Sequence, residues 1–129
     1  MEVLVLPVGG EFYAVPLGSV REVMPRPRAT ALPTGPHSVL GLINVRGEIV
    51  PLYDVLGLLG TGTTHQAQFA AIVEIAAGAA GLAASSAPTS EVLGERVRDA
   101  GHAATSGVHR QGERLATLLD LEALLSERH

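Results

Sequence analysis

The chain has 129 residues, a net charge of -4 and no cysteine, which excludes disulfides, thiol catalysis and thiolate metal sites and gives no basic excess for nucleic acid or anionic membrane. Hydrophobic residues make up 47% and charged residues 17%, where ordinary domains carry roughly 25% charged, so apolar surface is left for contact with other proteins. Glu2 stands where a signal peptide needs positive charge, and the longest uncharged stretch, Val55 to Val73, is broken by Gly, Thr, His and Gln, so the expectation is a soluble, cytoplasmic chain without membrane insertion.

Val3 to Val8 and Glu11 to Leu17 read as strands joined by Gly9-Gly10, a two-residue hairpin signal. Pro7 and Pro16 belong at an edge or a strand end, where a missing N–H costs least. Gly18 to Met24 reads as one helical turn, capped by Ser19 and stopped by Pro25. Arg26 to Ser38 is a Pro-rich connection whose Thr30 to Pro33 part can pair as a short edge strand.

The stretch Val39 to Leu59, VLGLINVRGEIVPLYDVLGLL, organises the chain. Two β-branched, apolar runs are interrupted only by Arg46-Gly47, which predicts a hairpin with Gly47 at positive φ and Arg46 at an exposed tip. Asp54 then caps a helical turn, Val55 to Leu59. Gly60 to Gln66 has linker composition.

Phe69 to Ile75, Ala79 to Ser85 and Thr89 to Leu93 read as strands, and Gly94 to Ala104 as a loop holding at best a short strand. Val108 to Leu119 forms another hairpin, turning at Gln111-Gly112. Asp120 caps Leu121 to Arg128, where Leu121, Leu124 and Leu125 share one helical face.

The second half echoes the first, since GEIVPLYDVLGLL and GERLATLLDLEALL both run strand, Asp, apolar helical turn. A barrel of about sixty residues is marginal alone and gains by packing on a second. The expected fold is mainly β, two packed five-stranded barrels closed so that no sheet edge is left open, with short helices after Asp54 and at the C-terminus. The expected division of this single domain is about 10–60 and about 66–129, the N-terminal strand being shared.

The run from Gly41 to Leu59 resembles, without a gap, the signature of the CheW-like domain, the adaptor fold of bacterial chemosensory arrays, and Val20-Arg21-Glu22-Val23 resembles a second segment of it. The resemblance implies SH3-like barrels packed through a shared apolar core, and an adaptor without enzymatic activity or cofactor. Its implied partners are the regulatory domain of a CheA-type histidine kinase and the cytoplasmic tip of a methyl-accepting chemoreceptor, with the adaptor located at membrane-bound arrays. The implied protein-binding residues are Val20, Arg21, Glu22, Gly41, Asn44, Arg46, Gly47 and Glu48. The chain departs from the family at Gly81 to Ala87, where Ala and Ser replace an acidic pattern, and small side chains there predict a looser second barrel.

Each of these residues also has a plainer reading. An Arg beside a turn glycine is ordinarily a solvated tip, although five donors in a fixed fork suit a carboxylate or carbonyl of a partner. Arg21 and Glu22 can solvate a half-buried turn in which Val20 and Val23 pack inward, and Gly41 can mark a bulge or a close backbone approach. Asp54 and Asp120 read as caps, not a catalytic pair. The histidines His37, His65, His102, His109 and His129 are read in loops or at the end, without metal-ligand spacing. Ser85-Ser86 lacks a nucleophile elbow, and Gly60 to Thr64 lacks the Lys of a phosphate loop. A β-barrel scaffold that binds only itself is the alternative to the adaptor.

Overall fold

The structure is a computed structural model describing residues 1–36, 38–64 and 67–126. Strands β1 (Glu2–Val8) and β2 (Glu11–Pro16) turn at Gly9 and Gly10, both at positive φ. A single 3-10 turn, Leu17–Ser19, leads into β3 (Val20–Pro25). The helical turn expected over Gly18 to Met24 is therefore mostly strand. Its physical signal is a period of two, with Val20, Glu22 and Met24 half-buried and Arg21, Val23 and Pro25 exposed.

Thr30 makes an isolated bridge to Leu42. The central hairpin is β4 (Val39–Val45) and β5 (Glu48–Tyr53), followed by α1 (Val55–Leu59). After the linker come β6 (Phe69–Ile75), β7 (Gly78–Ala84), β8 (Thr89–Val92) and the short β9 (Arg96–Arg98). Strands β10 (Thr105–Gln111) and β11 (Arg114–Leu119) precede α2 (Leu121–Ser126). Leu121, Leu124 and Leu125 are buried as their spacing predicts, and the last two residues expected in this helix, Glu127 and Arg128, lie outside the described residues.

The fold is mainly β, in two sheets, ordered β8-β1-β2-β11-β10-β9 and β3-β6-β7-β5-β4. This membership crosses the division expected at 10–60 and 66–129. The first half contributes β1 and β2 to a sheet completed by the second half, and the second half contributes β6 and β7 to a sheet completed by the first. The two sheets share a plan. In each, the borrowed hairpin pairs in parallel with the strand before a helix, β2 with β11 and β7 with β5.

The largest apolar cluster lies between the sheets and joins Leu4, Leu6, Tyr13 and Val15 to Tyr53, Val73, Leu82 and the α2 leucines. Each sheet also curls round its own smaller cluster, Ile43, Val45, Val50, Leu52 and Ile72 in one and Val3, Val5, Ala14 and Ala116 in the other. The alanines of β6 and β7 are explained by this arrangement. Ala80 and Ala84 face the shared core and Ala83 the inner cluster, so β7 is covered on both faces, and a Cβ on Gly81 would already stand 3.1 Å from Leu52. The alanines are thus well covered, contrary to the expected looseness.

Neither ladder closes, and the sheets have six and five strands, not five each. Side chains and a connection span the gaps instead. Between β8 and β9 the chain passes so close to β10 that a Cβ on Gly94 would lie 1.7 Å from the Arg110 carbonyl oxygen. The buried Gln111 amide accepts from Gly94 N–H and donates to Glu91 (2.8 Å) and the Val92 carbonyl (3.1 Å). Arg114 donates to Glu91 and lies 4.8 Å from the Phe12 ring centroid.

Candidate functional site

The gap in the five-stranded sheet lies between its edge strands, β3 and β4, and most of the residues singled out from sequence meet there. Arg21 donates from Nη2 to Glu48 Oε1 at 2.7 Å, with its Nε 3.6 Å from Glu74 Oε1. Arg46 donates from Nε and Nη2 to the two oxygens of Glu22, at 3.1 and 3.4 Å. Two oppositely directed ion pairs thus tie β3 to the tip of the β4–β5 hairpin. They remain accessible, the Arg46 side chain being 81% exposed. Exposed pairs of this kind add little to stability and exchange readily for a partner's groups.

The tip is built by local chemistry. Arg46 and Gly47 both have positive φ, 52° and 89°, the geometry of a type I′ hairpin turn. The sequence reading required this of Gly47 alone. Asn44 braces the turn, its Oδ1 accepting from Gly47 N–H at 2.8 Å. On β3 the pairing moves from Val20 with Val73 to Glu22 with Ile72, a bulge at Arg21 that re-aims the side chains around it.

Gly41 stands apart from this cluster. It lies at a bulge in β4 with φ 156°, and a Cβ there would come 2.6 Å from the Thr30 carbonyl oxygen, so it admits the crossing 29–30 backbone. Val20 packs against the shared core, while Val23, read as inward, is exposed. Ile49, next to Glu48, is 60% exposed. Sequence reasoning missed Ile49 and Glu74, since neither strand alternates: β5 exposes Glu48 and Ile49 together, and β6 buries four residues in a row before Glu74.

The carboxylates considered for catalysis are occupied in structure. Asp54 is buried and accepts from Leu56 N–H at 3.1 Å and Thr64 N–H at 3.0 Å, and Asp120 accepts from Ala123 N–H at 3.2 Å. His109 is not in a loop but on β10, buried, with Nδ1 2.8 Å from the Gly94 carbonyl. His102 accepts from Ala104 N–H; His37, His65 and His129 lie outside the described residues. Among the described residues no group of three or more His, Cys, Asp or Glu side chains could hold a metal ion, and no helix is long and apolar enough to cross a membrane.

Comparison with known proteins follows the same lines. The sequence profile of the CheW-like domain matches residues 2–129. The chain is 46% identical over 54 residues to Protein PilI of Pseudomonas aeruginosa, covering 42% of this chain and 30% of that protein. It is 37% identical over 59 residues to the probable chemotaxis protein CheW of Rhizobium etli, covering 46% and 38%. The aligned segments thus span well under half of those relatives. The crystal structure of scaffolding protein TtCheW from Thermoanaerobacter tengcongensis superposes with a TM-score of 0.79 at 23% identity, over 95% of this chain and 90% of that one.

Proposed function

Because the chain belongs to the CheW-like domain family, a family of scaffolding and adaptor domains, we propose that it is a non-enzymatic adaptor joining chemoreceptor tips to a CheA-type histidine kinase in the cytoplasm. The observation that carries this reading is the face where β3 meets the hairpin tip. Arg46 and Glu22, with Arg21 and Glu48, form paired charges at an accessible rim flanked by exposed Ile49. Such a rim can exchange internal pairs for pairs with a partner while the apolar side chain supplies burial.

An adaptor of this kind transmits state by binding two conformations of its partners unequally, which needs a coupling free energy of only about 1–3 kcal/mol. The names of the relatives, a chemotaxis protein and a scaffolding protein, agree with that role. Co-purification with the regulatory domain of a CheA-type kinase and with a receptor-tip fragment tests the reading. The expected result is a complex with both, and Arg46→Ala should leave the fold intact while weakening capture. Capture of neither partner, together with self-association that grows with concentration in size-exclusion chromatography, would instead favour a self-assembling scaffold.

A further inference from the structure

A cavity of about 350 Å³ shares no residue with the docking face and opens between the end of α1 and the side of the six-stranded sheet that meets the shared core. Its apolar wall is Leu59 and Val108, and its polar wall carries the hydroxyls of Tyr13, Thr61 and Thr117. The Tyr13 hydroxyl is hydrogen-bonded to Thr61; burial and the neighbouring Glu11 carboxylate raise its pKa, so it keeps a proton to donate.

The remaining wall, residues 98–105, carries one charge of each sign, Arg98 and Asp99. Arg96 is paired with Asp99 and Arg110 with Glu95, whereas Arg98 has no ion pair among the described residues. His102 accepts at Nδ1 from Ala104 N–H, 2.9 Å away, which leaves the ring's other nitrogen as the protonated donor in the neutral imidazole. The space is thus lined by two nitrogen donors, Arg98 and His102, beside hydroxyls that can donate or accept. The carboxylates nearby limit the charge it can take: Asp99 lies on the rim, and Glu11 lines the adjoining recess that shares Tyr13 and Thr61. A second negative charge on an occupant would face them.

We propose that this cavity binds a small organic monoanion, a carboxylate with a short apolar body, holding the carboxylate at Arg98 and the apolar part against Leu59 and Val108. The space is at the lower end of the range for small-molecule sites, about 300–1,000 Å³. A ligand there would touch the end of α1 and both sheets' connections, so the site adds a sensing input that is independent of the docking face.

Isovalerate is a suitable probe, with its neutral isostere isovaleramide and inorganic phosphate as controls, followed by amide shifts in ¹⁵N-labelled protein. Saturable shifts at Arg98, Gly101 and Thr117 in the millimolar range are expected with isovalerate, weaker by about tenfold or more with isovaleramide and in Arg98→Gln. Thr117→Val should also weaken binding with the rest of the spectrum unchanged, a second variant should Arg98→Gln disturb the fold. Shifts that do not saturate, an equal response to isovaleramide or phosphate, or unchanged binding in both variants would overturn the proposal.

Discussion

Arg46 occupies backbone space that L-residues avoid, at φ 52°, in a turn where glycine or asparagine would sit without strain. A strained residue at an accessible tip is worth keeping only for what its side chain does, and here that side chain reaches Glu22. Arg46→Gly should therefore leave the urea midpoint unchanged or slightly higher while weakening kinase capture by about tenfold, the scale of one lost charge-assisted pair. A fall in both together would make Arg46 a structural residue. Asp54 is the opposite case. It is buried and satisfies two backbone N–H groups, so Asp54→Ala should cost about 2 kcal/mol in chemical denaturation, with Asp54→Asn recovering part of it. Both residues were identifiable beforehand because their roles are local, a turn at Arg46-Gly47 and a cap before an apolar turn. That Glu22 would be the partner of Arg46, 24 positions away, was not, since no periodicity reports which edge strand faces a hairpin tip.

At the scale of elements, strands with period-two patterning or flanking Gly signals were predictable, and the exceptions have physical causes. β3 was misread because Ser19 and Pro25 resemble helix punctuation, whereas the pairing with β6 decides its conformation. The gap between β8 and β9 was invisible because main chain and a buried amide, not a ladder, bridge it. Gly94→Ala should test that bridge most severely. Its Cβ would collide with the Arg110 carbonyl, a backbone atom that cannot swing aside, and the expected loss exceeds about 3 kcal/mol. Glu91 gives the same bridge a pH dependence. Burial would raise its carboxyl, but hydrogen bonds from Thr89, Gln111 and Arg114, with the Arg114 charge, outweigh burial and hold it below the ordinary 4.5. A lowered folded pKa means that the stabilisation is present above 4.5 and is lost as pH falls through the folded value. Urea midpoints of the wild type should thus fall on acidification from neutrality to below 4.5, and Glu91→Gln should show a shallower fall. Equal slopes would remove Glu91 from the acid response.

For the whole molecule, the exchange of leading hairpins between halves determines how the parts depend on one another. A repeat in sequence suggested two units side by side, and the repeated plan is present, but β1–β2 completes the sheet of the second half and β6–β7 that of the first. Sequence similarity between halves cannot distinguish a hairpin packed on its own half from one packed on the other, because the strand patterns are the same in both. The physical consequence is that neither half can bury its apolar strands alone. A fragment ending at Gly62 would carry β3, β4 and β5 without the β6–β7 pair that separates them, and β1–β2 without β11. Each fragment, ending at or starting after Gly62, should therefore give a disordered circular-dichroism spectrum and no cooperative unfolding. Mixed at equal concentration, they should regain the β spectrum, because the parallel pairs Thr117 with Tyr13 and Leu52 with Gly81 and the shared core form only across the cut. Cooperative unfolding of either fragment by itself would mean that the barrels are independent units and that the exchanged hairpins do not hold the fold together.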